Sequence, residues 1–239
     1  MVYLLGMDRI FCTKINLKIN IGEKVALLGP NGAGKSTIAL LSANFLFPNS
    51  GQVIFNGVAY KRSSSLHRKK IGIVLTNPYL IDKMKVEEYW RFVGGVLEVS
   101  NDILNYRILD LFELLNLSSE KGKMIGKLSQ GSRTKVAIGA ALLHNPEMLL
   151  FDEPFSNLDQ NTSLKLAAFL KDNSASKTFL VASHNLNYLI SMGIDRFVLL
   201  ENGRVVKDVP YNDQSSLEMI HSFINSYEKK EFHRPDWWR

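Results

Sequence analysis

The sequence predicts an α/β fold with a mainly parallel sheet, and three observations carry this prediction. Short apolar runs at residues 25–28, 148–151 and 178–182 are typical of strands that are buried on both faces. Segments with apolar residues at helical spacing lie between such runs, and strands that alternate with helices form parallel sheets with right-handed crossovers. A stretch of about 50 residues near the middle is helical throughout, which predicts an inserted α-helical subdomain.

The individual elements can be followed along the chain. Residues 15–19 alternate apolar and polar side chains, as a half-buried strand does. An Asn56-Gly57 dipeptide between two short apolar runs predicts a small antiparallel β hairpin. The other predicted strands are 25–28, 71–75, 148–151, 178–182 and 197–200, and the predicted helices are 35–47, 86–97, 102–115, 131–144, 158–170 and 213–227.

Composition limits the class of protein. The chain has 239 residues, of which 46% are hydrophobic and 22% charged, so a disordered chain, a collagen or a coiled coil is excluded. No apolar run approaches the roughly 18 residues that a membrane span needs, and the first residues do not form a secretory signal. The single cysteine, Cys12, excludes an internal disulfide and fits a reducing cytosol.

The net charge of +6 favours anionic partners. Much of this charge lies in residues 61–70 and in the tail beyond residue 229. Neither stretch interleaves aromatic and basic side chains as a single-strand nucleic-acid binder would. We therefore expect no nucleic acid among the partners.

Residues 29–37 fit the phosphate-loop pattern G-x-x-x-x-G-K-[ST] between a strand and a helix. Glycines let successive backbone N–H groups surround a phosphate, and the helix N-terminus adds partial positive charge. Lys35 is expected to reach the β- and γ-phosphates, and the Ser36 hydroxyl to bind Mg²⁺. The expected ATP-binding residues of this loop are Gly29, Pro30, Asn31, Gly32, Ala33, Gly34, Lys35, Ser36 and Thr37.

Two carboxylates follow the apolar run at residues 148–151. Asp152 and Glu153 are placed at the carboxyl end of a strand, where ligands of parallel sheets collect. Asp152 can hold Mg²⁺ through water, and Glu153 can accept a proton from an attacking water. The loop and the acid pair together indicate hydrolysis of a nucleoside triphosphate.

With these motifs the sequence resembles the ATP-binding cassette family, the nucleotide-binding subunits of ABC transporters. The resemblance covers about residues 10–207. Residues 128–132 (LSQGS) stand where the family has its LSGGQ signature, residues 156–159 (SNLD) match its D-loop, and His184 matches its switch histidine. Order and spacing agree with the family throughout.

The resemblance implies a P-loop NTPase with a RecA-like core sheet, a small antiparallel β subdomain and the inserted helical subdomain. It also implies a head-to-tail dimer with itself or a related subunit, in which each ATP lies between the phosphate loop of one chain and the signature helix of the other. Ser129, Gln130 and Gly131 would bind nucleotide there, Asp159 would connect the two sites, and His184 would contact the γ-phosphate beside the base Glu153.

Besides Gln130 and Ser132 in the signature, the sequence departs from the family at two places. Thr76 stands where a glutamine is usual, so metal binding there would use a shorter hydroxyl side chain. The aromatic residue that stacks on adenine is not evident, because the aligned position falls near Gly6, with Tyr3 and Phe11 as nearby candidates.

The resemblance predicts one ABC ATPase domain over the whole chain. Its core comprises residues 1–75 and 146–210, its helical subdomain residues 76–145, and its C-terminal helix and tail residues 211–239. We expect an ATPase that uses ATP and Mg²⁺ and drives transport through separate transmembrane subunits, whose short helices dock near residues 76–84. It would lie on the inner face of the cell membrane. Two alternatives stay open: a soluble ABC-type ATPase that acts on nucleic acid or ribosomes, and a nucleotide-binding regulator with little hydrolysis.

Overall fold

The computed structural model describes residues 12, 15–61, 67–172 and 176–231. Within these residues the chain forms eight strands and seven α-helices, with three short 3₁₀ turns. The strands are β1 (Lys24–Leu28), β2 (Ile54–Phe55), β3 (Val58–Ala59), β4 (Ile71–Val74), β5 (Met148–Asp152), β6 (Thr178–Ala182), β7 (Arg196–Glu201) and β8 (Arg204–Pro210). The helices are α1 (Lys35–Ser42), α2 (Val86–Val96), α3 (Asn101–Leu114), α4 (Gln130–Leu142), α5 (Gln160–Asp172), α6 (Leu186–Ser191) and α7 (Gln214–Glu231).

The main sheet has six strands in the order β4-β5-β6-β1-β7-β8. Its first five strands are parallel to one another, and β8 runs antiparallel to β7 at the edge. A separate two-stranded sheet pairs β2 with β3. The α/β fold, the mainly parallel sheet and the small antiparallel hairpin are therefore confirmed.

Both faces of the main sheet are buried, which explains why its strands consist of almost continuous apolar residues. Along β1, Val25 and Leu27 pack with α1 and the hairpin, while Ala26 and Leu28 pack with the helices of the opposite face. The helices α2, α3 and α4 lie between β4 and β5 in the chain and bury Trp90 among them. The insertion is thus anchored to the sheet through a shared apolar core.

Some predicted boundaries were wrong, for local reasons. Helix α1 ends at Ser42 and not near residue 47, because Asn44 adopts the left-handed conformation (φ 61°) that commonly ends a helix. Helix α5 begins at Gln160, since the Asp159 carboxylate accepts a hydrogen bond from the Thr162 N–H and so caps the helix. Residues 15–19 show the predicted alternation of burial but form no strand within the described part of the chain.

The sequence interpretation missed strand β8 and helix α6. A usable signal for β8 was present, because Asn202 and Gly203 form the same turn dipeptide as Asn56 and Gly57. Both residues of this second turn have positive φ angles, 50° and 73°. Strand β8 is largely exposed, so its apolar pattern is weak.

Candidate functional site

The candidate site lies where four parallel strands end at one edge of the sheet. Leu27 of β1 pairs with Ala182 of β6, and Ala182 pairs with Asp152 of β5. Strand β4 continues the row, since its Val74 pairs with Phe151. The segments that follow these strands carry the glycine loop, His184, the acid pair and Thr76, so the sheet brings four separate predicted motifs to one edge.

The loop at residues 29–37 has the backbone shape that its sequence pattern predicts. Gly34 caps α1 in the left-handed conformation with φ 99°, which glycine adopts without strain. A Cβ atom at Gly29 would clash with the backbone oxygen of Leu200. Ser36 and Thr37 lie in the first turn of α1, where the direction of the backbone N–H groups and the helix dipole favour an anion. In this loop Asn31 and Gly32 are exposed, Pro30 is half-buried and Ala33 is buried.

The ammonium group of Lys35 lies inside this loop. Its Nζ donates to the carbonyl oxygens of Gly29 at 2.7 Å and Pro30 at 3.1 Å. The Lys35 side chain therefore folds back towards the start of the loop and does not extend into solvent. This placement holds a positive charge where the phosphate-loop pattern expects anionic oxygens.

Asp152 is buried, with 5% of its surface exposed, at the end of β5. The hydroxyl of Thr76 donates to its Oδ2 at 3.0 Å and lies 3.3 Å from its backbone oxygen. The hydroxyls of Ser36 and Thr76 and the carboxylate of Asp152 offer only oxygen atoms, which are the ligands that Mg²⁺ prefers. Among the described residues, no three His, Cys, Asp or Glu side chains lie together as a metal site, so a magnesium ion here would depend on phosphates and water as well.

Glu153 has an unusual backbone conformation for a residue with a side chain. Its φ is 51°, and its N–H donates to the carbonyl of Ala182 at 2.8 Å. Its Oε1 accepts from the backbone N–H of His184 at 3.1 Å and lies 2.9 Å from His184 Nδ1. Its Oε2 accepts from the hydroxyl of Ser183 at 3.0 Å. The two predicted catalytic groups are thus in direct contact, and Ser183 is a partner that sequence reasoning did not single out, although it precedes His184 directly.

The predicted signature residues form the exposed tip of helix α4. Ser129 is the N-cap, and its Oγ accepts from the Ser132 N–H at 3.2 Å. Ser129 and Gln130 are exposed, and Gly131 is half-buried. A Cβ atom at Gly131 would clash with the carbonyl oxygen of Asn157, so the loop after β5 lies directly against this tip.

The carboxylate of Asp159 accepts hydrogen bonds from helix α4 and from the first turn of α5. Its Oδ2 accepts from Lys135 Nζ at 2.8 Å and from the Thr162 hydroxyl at 2.8 Å, and its Oδ1 accepts from the Thr162 N–H at 2.9 Å. These donors hold the pKa of the Asp159 carboxyl well below its usual range. The Lys135 ammonium has the largest effect, followed by the N–H and the hydroxyl of Thr162. Sequence reasoning missed Lys135, because no motif marks a lysine in the second turn of this helix.

Gly6, Tyr3 and Phe11, the candidates near the adenine, lie outside the described residues, as do residues 62–66 of the basic stretch at 61–70 and the tail from residue 232. Among the helices that the structure describes, none is both long and apolar enough to cross a membrane.

A strand, a glycine loop and a helix N-terminus beside an Asp-Glu pair on a parallel sheet define a nucleotide-binding protein of the P-loop class. Comparison with known families gives the finer assignment. The family model described as ABC transporter matches residues 12–156, which is more than half of the chain. The chain belongs to the ABC transporter family, as the signature resemblance predicted.

Individual relatives are ATP-binding subunits. The spermidine/putrescine import ATP-binding protein PotA of Spiroplasma citri is 31% identical over 193 residues, which are 80% of this chain and 55% of that protein. The ABC transporter ATP-binding protein NatA of Bacillus subtilis is 30% identical over 194 residues, 80% of this chain and 78% of NatA. The chain is thus placed among the ATP-binding subunits of ABC transporters.

Solved structures agree in fold. The dimeric ATP-binding cassette MJ0796 in a post-hydrolysis state, bound to ADP and Pi, superposes with a TM-score of 0.78 at 26% identity, over 89% of this chain and 96% of that one. An ATP-binding subunit of an ABC transporter superposes with a TM-score of 0.84 at 25% identity, over 94% and 98% of the two chains. None of these four proteins is described by an activity on nucleic acid or ribosomes.

Proposed function

We propose that the chain binds ATP with Mg²⁺, hydrolyses it to ADP and phosphate, and thereby drives transport through separate transmembrane subunits. The observation that carries this proposal is the position of Glu153. Its carboxylate lies one residue beyond Asp152, in contact with His184, at the sheet edge where the glycine loop also lies. A base, a metal-binding carboxylate and a phosphate cradle are the parts that phosphoryl transfer to water requires.

The loop would bind the phosphates of ATP through backbone N–H groups among residues 31–37. Phosphate oxygens would replace the carbonyls of Gly29 and Pro30 as acceptors for Lys35, because an anionic oxygen is the stronger partner of an ammonium. Ser36, Thr76 and Asp152 would hold Mg²⁺, which when bound neutralises negative charge on the phosphate oxygens.

Glu153 would act as the general base. One of its carboxylate oxygens takes the proton of the attacking water, while the other keeps its hydrogen bond from Ser183. His184 is exposed on its other side and would contact the γ-phosphate from there. The base and His184, the residue proposed to contact the phosphate, would thus be held together.

A second copy of the chain, or a related subunit, would complete each site. The exposed helix tip of Ser129, Gln130 and Gly131 has free N–H groups and the positive end of a helix dipole, so it can bind the γ-phosphate of an ATP on the partner. The solved relative MJ0796 is described as dimeric, which supports a dimer, and we propose the head-to-tail arrangement for this chain.

Permease subunits are the proposed membrane partners. Tyr79 is 92% exposed and Ile81 39% exposed in the stretch at residues 76–84, where short helices of the permeases would dock. Exposed large apolar side chains in one stretch are typical of an interaction surface. The chain would then lie at the inner face of the membrane through these contacts.

The composite site can be tested by complementation between two inactive variants. Ser129→Arg blocks the helix tip, and Glu153→Gln removes the base, so each variant alone should lose turnover. In a mixture, the loop and base of the first chain meet the intact tip of the second. We expect ATP hydrolysis to reappear in the mixture, whereas a mixture that stays inactive would contradict the head-to-tail site.

A further inference from the structure

The loop between β5 and α5 (residues 153–159, here called the connecting loop) begins at the proposed base and is tightly folded. The N–H and the hydroxyl of Ser156 both donate to the backbone oxygen of Glu153, at 3.3 and 2.9 Å. Leu158 N–H donates to the Phe155 oxygen at 3.2 Å. The two hydrogen bonds of Ser156 thus connect the outer part of this loop directly to the backbone of Glu153.

The far end of the connecting loop is fixed to helix α4 at two points. The carbonyl of Asn157 lies against Gly131, where any Cβ atom would clash, and the carboxylate of Asp159 binds Lys135 at 2.8 Å. Gly131 and Lys135 are four residues apart and so lie on the same face of the helix. One face of α4 thus contacts both Asn157 and Asp159.

Helix α4 is the firmly held partner in this contact. Residues 134–139 of α4 are all buried, and the side chain of Lys135 itself is only 10% exposed. Ser156, Asn157 and Asp159 of the connecting loop are exposed. Pro154 and Phe155 of this loop are buried, so its outer part, residues 156–159, rather than the helix should move when the ion pair is lost.

The base needs such support, because its backbone is strained. Glu153 has φ 51°, a conformation that costs energy for a residue with a Cβ atom and persists only where its surroundings enforce it. The hydrogen bond to Ala182 holds one side of this residue, and the Ser156 bonds of the connecting loop hold the other.

We propose that Lys135 is a positioning residue for the base of its own chain. By binding Asp159, it fixes the connecting loop on α4 and keeps Glu153 in its strained conformation, with the carboxylate directed at the reacting water. This inference rests on the proposed composite site. Lys135 lies beside the signature tip, which would contact the ATP bound by the partner. Its proposed effect is nevertheless on Glu153, which would act on the ATP bound by its own chain.

The first variant is Lys135→Met, which keeps the length of the side chain and removes its charge. We expect turnover to fall by about 10-fold to 100-fold, since a misplacement of roughly 1 Å has that effect, and nucleotide affinity to stay unchanged. Lys135→Arg should restore most of the turnover. Lys165→Met, at an exposed position of α5, is the matched control and should behave as the parent.

Mixtures then decide on which site Lys135 acts. In the reference mixture, a small amount of the parent chain is added to an excess of the Glu153→Gln chain. Each parent chain then pairs with a chain that lacks the base, and the mixture gives the reference rate per active base. Limiting Lys135→Met chain in excess Glu153→Gln chain should hydrolyse about 10-fold or more slowly than the reference. Limiting parent chain in excess Lys135→Met/Glu153→Gln double variant should match the reference, because its active base keeps its own lysine.

Equal rates in all three mixtures, or the reverse order, would overturn the inference; the reverse order would mean that Lys135 acts through the signature tip on the partner's site. If the reference mixture is no faster than the same dilute parent chain alone, the composite site itself is wrong and the inference falls with it. Should Lys135→Met not fold, Asp159→Asn removes the loop side of the ion pair, and the same mixtures with that variant must give the same order.

Discussion

Nδ1 of His184 lies 2.9 Å from Oε1 of Glu153, and the backbone N–H of His184 donates to the same oxygen at 3.1 Å. The other carboxylate oxygen accepts from the Ser183 hydroxyl at 3.0 Å. The turn between β6 and α6 therefore holds the carboxylate at the end of β5 through both of its oxygens. The carboxylate of the proposed base is thus oriented by the turn after β6, while the connecting loop holds its backbone.

The first prediction concerns this base. Glu153→Gln keeps the shape of the side chain but removes its ability to take a proton, so turnover should fall by about 100-fold or more. Nucleotide affinity should be retained, because the glycine loop and Lys35 are untouched. Phosphate release and equilibrium binding of a fluorescent ATP analogue measure the two effects.

Glu113→Gln on the exposed face of α3 is the control for this change, since it removes a carboxylate that is not among the residues of the candidate site. Hydrolysis by Glu153→Gln at the parental rate would show that another group takes the proton.

The second prediction concerns Thr76. Its hydroxyl orients Asp152 through a 3.0 Å hydrogen bond, and groups that orient a metal ligand commonly change metal affinity by about 10-fold or more when removed. Thr76→Val should therefore raise the Mg²⁺ concentration for half-maximal ATPase activity by about 10-fold, with turnover largely recovered at saturating Mg²⁺. Magnesium titrations of the ATPase rate measure this shift.

Thr76→Ser keeps the hydroxyl and should behave as the parent in the same titration. An unchanged magnesium requirement in Thr76→Val would assign the hydroxyl a purely structural role.

The sequence was sufficient to predict the row of motifs at the sheet edge. Strand-ending positions such as Leu28 and Asp152 are marked by apolar runs, and parallel strands bring their carboxyl ends together. The contact of Lys135 with Asp159 was not predictable, because it joins two elements whose relative position depends on packing and not on a local pattern. The early end of α1 depends likewise on the left-handed backbone of Asn44, which a run of apolar residues does not reveal.

The third prediction tests the packing of the helical insertion. A Cβ atom at Gly139 of α4 would clash with the indole of Trp90, which is fully buried and donates to the Val136 oxygen at 2.9 Å. Gly139→Ala should therefore lower the free energy of unfolding by about 1–3 kcal/mol, because the buried ring must shift in a filled core. Denaturant unfolding followed by tryptophan fluorescence measures the change.

Gly95→Ala in α2 is the matched control, since a Cβ atom there meets no other atom within 4 Å. It should raise stability by about 0.5–1 kcal/mol through the higher helix propensity of alanine. Stabilisation by both substitutions would contradict the close packing of Gly139 on Trp90.

The last prediction concerns Cys12, a residue that is 4% exposed and whose Sγ lies 3.6 Å from the carbonyl oxygen of Gly34 in the phosphate loop. Burial raises the pKa of this thiol from 9.0 to about 11. A thiol-specific reagent should therefore label the native chain very slowly at pH 8 and the chain in denaturant rapidly. The folded state binds this proton more tightly than the unfolded state, so the stability that this group contributes is full below about pH 9. That contribution is lost as the pH rises through 11. Cys12→Ser provides a thiol-free control for the labelling assay. Rapid labelling of the native parent at pH 8 would contradict the burial of Cys12 against the loop.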